Sequence, residues 1–193
     1  NQRRPGKSRT LSRWRGMTVG RVVRSPIMSE LETLAERLGR ELLNRGEWLA
    51  TAESCTGGWI AQTVTSIAGS STWFDRGFVT YSNAAKVDML GVPEITLERH
   101  GAVSEATARA MAQGALKYSR ADWAVATTGV AGPAGGTPEK PVGMVCFAWA
   151  QRDGGCEALT CHFAVTRAEI REQAVRLALS GALKRAMAAT LMA

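Results

Sequence analysis

Ser54 stands in the segment AESCTGG (52–58), between an apolar run and a Gly-Gly pair. A serine hydroxyl attacks a carbonyl when a base takes its proton and fixed donors hold the oxyanion that forms. Residues 48–52 read as a short buried strand, and the stretch from Gly58 to about Ile67 reads as a helix. That places the hydroxyl at the carboxyl end of a strand, where open α/β sheets bind ligands, next to the free N–H groups and positive dipole end of a helix. Gly57 and Gly58 let a substrate approach the backbone closely. A serine in this place also serves as a plain N-cap, and the segment is not GxSxG. Cys55 sits beside it at a helix start, where thiols acidify, and is an alternative nucleophile.

The base has few candidates. Two histidines, His100 and His162, keep a Ser–His–Asp arrangement open. Beyond residue 27 the lysines are Lys86, Lys117, Lys140 and Lys184. Lys117 and Lys184 fall on long helices whose solvated faces suit them, and Lys140 lies between prolines. Lys86 closes the segment YSNAAK (81–86), which follows a second apolar run at 77–81. If that run pairs beside the first strand, Lys86 comes next to Ser54. To work as a base it must lose several units of pKa, which burial and hydrogen bonding can supply. Tyr81 can bond the amine or relay a proton; a lysine here can equally sit on a helix surface. The third element, TTGVAGPAGGTPEKPVG (127–143), is a donor-rich loop able to cradle a phosphate, although it carries neither a Walker A nor a GxGxxG pattern. The four cysteines (Cys55, Cys146, Cys156 and Cys161) have no CxxC spacing, so no metal set is expected. Thiols left free point to a reducing, cytoplasmic setting.

The elements that must position these groups follow from periodicity. Leu31, Leu34, Ala35, Leu38 and Leu42 form one stripe of a helix over 28–45, with Ser29 and Glu32 at capping-box spacing and Gly46 as the stop. A short helix over 84–90, a loop over 92–103 and a helix from Ser104 to Tyr118 precede a buried strand at 123–127. Strands at 142–150 and 157–164 flank Asp153-Gly154, a hairpin signal, and Thr166 with Glu169 opens a last helix to about Met187. The pattern predicts one α/β domain over 28–193, a mixed sheet with helices on both faces in three layers.

The formal charge of +7 belongs to one end. Residues 1–27 hold eight Lys or Arg and no acid, and the remainder holds 16 basic and 17 acidic residues. The segment 1–27 reads as a disordered basic leader, and contact with nucleic acid is expected only through it. No apolar run reaches membrane-spanning length.

AESCTGG, YSNAAK and TTGVAGPAGGTPEKPVG, in this order and spacing, resemble the C-terminal domain of the competence/damage-inducible CinA family over about residues 28–190. The resemblance implies nicotinamide-nucleotide amidase activity, with nicotinamide mononucleotide as substrate, no cofactor and no metal. It implies Ser54 as nucleophile, Lys86 as base and Tyr81 assisting. It places Gly57, Gly58, Asn83, Thr128, Gly129, Gly132, Gly135, Gly136 and Arg167 at the substrate, with Arg167, ahead of the last helix, suited to the phosphate. It also implies a homo-oligomer. A catalytically silent nucleotide-binding or regulatory domain is the other reading. Ala134 stands where the family often has glycine, which narrows the pocket.

Overall fold

The computed structural model describes residues 28–191; the expected leader, 1–27, lies outside the described residues. The order of elements is α1 (Glu30–Arg45), β1 (Leu49–Glu53), α2 (Trp59–Thr65), a single 3₁₀ turn (Ser70–Thr72), β2 (Phe74–Val79), α3 (Asn83–Leu90), α4 (Glu94–His100), α5 (Glu105–Lys117), β3 (Trp123–Gly129), β4 (Met144–Gln151), β5 (Cys156–His162) and α6 (Arg167–Leu191). The five strands form one sheet in the order β2-β1-β3-β4-β5. β1 runs parallel to both β2 and β3, and β4 and β5 are antiparallel additions. The chain leaves β1 to one side and later returns on the other, so strand order reverses at β1 and opens a crevice at its carboxyl end.

Period-two alternation gives the two faces different jobs. Leu49, Trp123, Val125, Val145, Phe147 and Trp149 pack with α1, α2 and α6. The opposite face is nearly all alanine (Ala50, Ala52, Ala124, Ala126, Ala148 and Ala150), and α5 settles on it through Ala108, Met111, Ala112 and Ala115. Small side chains let that helix approach closely. On the first face α1 buries Leu31, Leu38 and Leu42, each contributing about 1.5–3 kcal/mol. Its capping box and the left-handed Gly46 are both formed. Asp153 takes a φ of 58° in the β4–β5 hairpin.

Two elements differ from expectation. The segment read as loop over 92–103 contains α4, which buries no side chain and so has no apolar stripe to announce it. β2 begins three residues before the predicted strand and ends at Val79; it is an edge strand with mixed burial, so its alternation is weak. Arg167 is the first residue of α6 rather than a residue ahead of it.

Candidate active site

The carboxyl ends of β1, β2 and β3 converge. Just beyond β1, the Ser54 N–H donates to the Thr127 carbonyl at 2.9 Å, and the Thr80 N–H donates to the Glu53 carbonyl at 2.8 Å. The sheet therefore pins Ser54 on both sides. Lys86 lies near the start of α3, which Ser82 caps by accepting from the Ala85 N–H. Its side chain is 1% exposed. The Lys86 Nζ lies 3.0 Å from Ser54 Oγ and donates to the Thr80 carbonyl at 2.8 Å. Burial pushes its pKa below the ordinary lysine value. The Cys55 thiol, also buried, is pushed up to about 12, chiefly by loss of solvent, which leaves it protonated and poorly nucleophilic.

A cavity of about 280 Å³ opens over this pair. Its lining includes Ser54, Tyr81, Lys86, Thr128, Gly129, Gly132, Gly135 and Arg167 from the expected set, together with Ala134. Tyr81 is 64% exposed at the rim, where its hydroxyl accepts from Arg167 Nη2 at 3.3 Å; the amine of Lys86 has other partners. Arg167 also donates to the Gly132 carbonyl, which ties α6 to the glycine-rich loop. Thr128 spends its hydroxyl on the Ala102 carbonyl at 2.7 Å and so holds one wall. Gly57, Gly58, Asn83 and Gly136 do not line the cavity. Gly57 and Gly58 take φ of 62° and 91°, which the turn behind Ser54 requires. Asn83 is exposed at the first position of α3, and Gly136 packs against Val142. Neither His100 nor His162 lines the cavity.

Ser54 is not an N-cap; that position in α2 belongs to Gly58. The expectation that α2 offers its free N–H groups to an oxyanion also needs correction. Glu53, fully buried on the opposite face from Ser54, takes them. Its Oε2 accepts from Gly58 and Ile60 at 3.0 Å each, and its Oε1 accepts from Ala61 at 2.8 Å. The dipole end is thereby satisfied by a carboxylate outside the cavity. Donors remain in the glycine-rich loop that lines the cavity, where the N–H groups of Ala131 and Gly132 have no protein acceptor among the described residues. Sequence reading missed Glu53 and also Arg171, whose guanidinium donates to the Cys55 and Thr56 carbonyls. A glutamate ending an apolar strand was the available signal for Glu53. Arg171 carries no such signal, since in the sequence it resembles any arginine on a long helix.

Among the described residues no three His, Cys, Asp or Glu side chains are grouped to hold a metal, and no helix is long and apolar enough to cross a membrane.

Compared with known proteins, residues 31–186 match the CinA C-terminal domain. The chain is 56% identical over 152 residues to a protein of Escherichia coli (strain K12) named nicotinamide-nucleotide amidohydrolase PncC, covering 78% of this chain and 92% of that one. It is 51% identical over 144 residues to a CinA-like protein of Chlorobium chlorochromatii (strain CaD3), covering 75% of this chain but 34% of that longer protein. The structure resembles the competence/damage inducible protein CihA from Agrobacterium tumefaciens with a TM-score of 0.79 and 50% identity, over 83% of this chain and 99% of the other.

Proposed function

The chain belongs to the CinA C-terminal domain family, and from that premise we propose that it hydrolyses the carboxamide of nicotinamide mononucleotide by a Ser–Lys mechanism, giving nicotinate mononucleotide and ammonia. The observation that carries this reading is the buried Lys86 amine 3.0 Å from the Ser54 hydroxyl. A relative named for this activity, aligned over 92% of its own length, supports the substrate.

In the neutral form the amine donates one N–H to the Thr80 carbonyl and turns its lone pair to the Ser54 hydroxyl. Lys86 takes the proton as Ser54 Oγ attacks the carboxamide carbon. The Thr80 carbonyl then steadies the new ammonium. Because α2 is occupied by Glu53, the oxyanion draws its donors from the glycine-rich wall, where Ala131 and Gly132 have N–H groups to offer. Lys86 returns the proton to the departing nitrogen, ammonia leaves, and a water that Lys86 deprotonates resolves the ester on Ser54. Arg167, which lines the same cavity, receives the phosphate, with Tyr81 holding its guanidinium at the rim.

Ammonia release from nicotinamide mononucleotide tests the reading. Ser54→Ala lowers turnover by at least ~10³-fold, and Lys86→Ala by roughly 10²–10⁴-fold. Arg167→Gln raises KM for the mononucleotide and leaves the phosphate-free nucleoside unaffected. Undiminished turnover in Ser54→Ala refutes the mechanism, and tight nucleotide binding with no turnover in the unsubstituted protein identifies a silent binding domain instead.

A further inference from the structure

The turn that carries Ser54 is gripped from behind, by groups that take no part in the proposed chemistry. Glu53 holds the N–H groups of Gly58, Ile60 and Ala61. On the carbonyl side, Arg171 Nε donates to Cys55 at 3.2 Å and Nη2 donates to Thr56 at 2.8 Å. The same guanidinium lies 5.4 Å from the centre of the Trp59 ring, on α2. The Gly57 N–H closes the turn onto the Ser54 carbonyl at 3.0 Å. The backbone around Ser54 is thus fixed by one anion and one cation from opposite ends.

Arg171 sits on α6 one turn after Arg167, and residues four apart share a helix face. Arg167 reaches the cavity wall at Gly132 and Tyr81. The first two turns of α6 therefore touch the cavity wall and the turn that follows the nucleophile at once.

We propose that Arg171 is a positioning residue for Ser54: working against Glu53, it fixes the two peptides that follow the Ser54–Cys55 link, and through that turn holds the hydroxyl toward the substrate and Lys86. This rests on Ser54 being the nucleophile. A planar fork with fixed donor directions can hold two carbonyls in a way that a single ammonium cannot. Displacing a reacting atom by an ångström costs about 10²-fold in rate, so the grip has consequences for turnover although it never meets the substrate.

The test uses the full chain with Arg171→Ala, Arg171→Gln and Arg171→Lys. It measures ammonia release, the rate at which an aryl fluorophosphonate labels Ser54, and thermal unfolding. Arg171→Ala is expected to lower kcat by about 10²-fold with KM within about twofold, and to slow Ser54 labelling in parallel. Ethylguanidinium at millimolar concentration is expected to restore part of both losses, a recovery that general destabilisation does not give. Arg171→Lys should fall between. If Arg171→Ala does not fold, the Gln and Lys variants carry the same comparison. Labelling and kcat equal to those of the unsubstituted protein overturn the proposal, as does a rise in KM alone. Absence of Ser54 labelling in the unsubstituted, active protein overturns the nucleophile assignment itself, a separate outcome.

Discussion

Lys86 gives up its proton more readily than a lysine in water because burial penalises the ammonium, and this has two measurable consequences. One concerns rate. Only the neutral amine accepts the Ser54 proton, so kcat/KM climbs about tenfold per pH unit until Lys86 is deprotonated, then levels at a pH below 10.5. Lys86→Arg, which stays charged, loses the climb together with the activity. The other concerns stability. Above 10.5 the amine is neutral in both folded and unfolded chains and contributes no difference. As pH falls below that value the unfolded chain takes up the proton first, so stability declines until the native amine is protonated too. Stability therefore rises with pH across that window. Thermal unfolding at a series of pH values checks this, and Lys86→Met removes that component of the slope.

At the scale of elements, Lys86 depends on how α3 is held. α5 passes so close to the end of α3 that a Cβ on Gly114 would overlap the Leu90 carbonyl. Gly114→Ala is expected to cost about 1–3 kcal/mol through overpacking, lowering Tm by roughly 2–12 °C at this chain length. Calorimetry checks the stability loss. Most elements are readable in the sequence because their burial is periodic: the leucine stripe of α1, the alternation in β5 and the Asp153-Gly154 turn each carry a local signal. α4 is not readable, since it buries nothing and offers only its ends. The site divides in the same way. Ser54 and Lys86 can be paired by supposing β1 and β2 adjacent, which they are. The grip of Glu53 on α2 and of Arg171 on the carbonyls depends on packing between distant elements, which leaves no periodic trace in the chain.

At the scale of the molecule, charge and chemistry are segregated. The excess of positive charge is confined to residues 1–27, and the rest is close to neutral. Any affinity for DNA is expected to reside there, to weaken steeply with salt and to vanish when its eight basic residues become Gln. Fluorescence anisotropy with labelled duplex at several salt concentrations checks this, and binding that survives the substitutions refutes it. The active cavity follows a different rule, the two-sidedness of β1. Leu49, Thr51 and Glu53 face the layer of α1, α2 and α6, and Ala50 and Ala52 face the tight alanine layer under α5. Deleting one residue from β1 would put the two ends of the strand out of step. Either Leu49 then meets a layer with room only for alanine, or Glu53 and Ser54 exchange faces, so that the carboxylate leaves α2 and turns to the side of Lys86. Parity along the strand thus acts as a form of proofreading, because the core and the site are in frame only together.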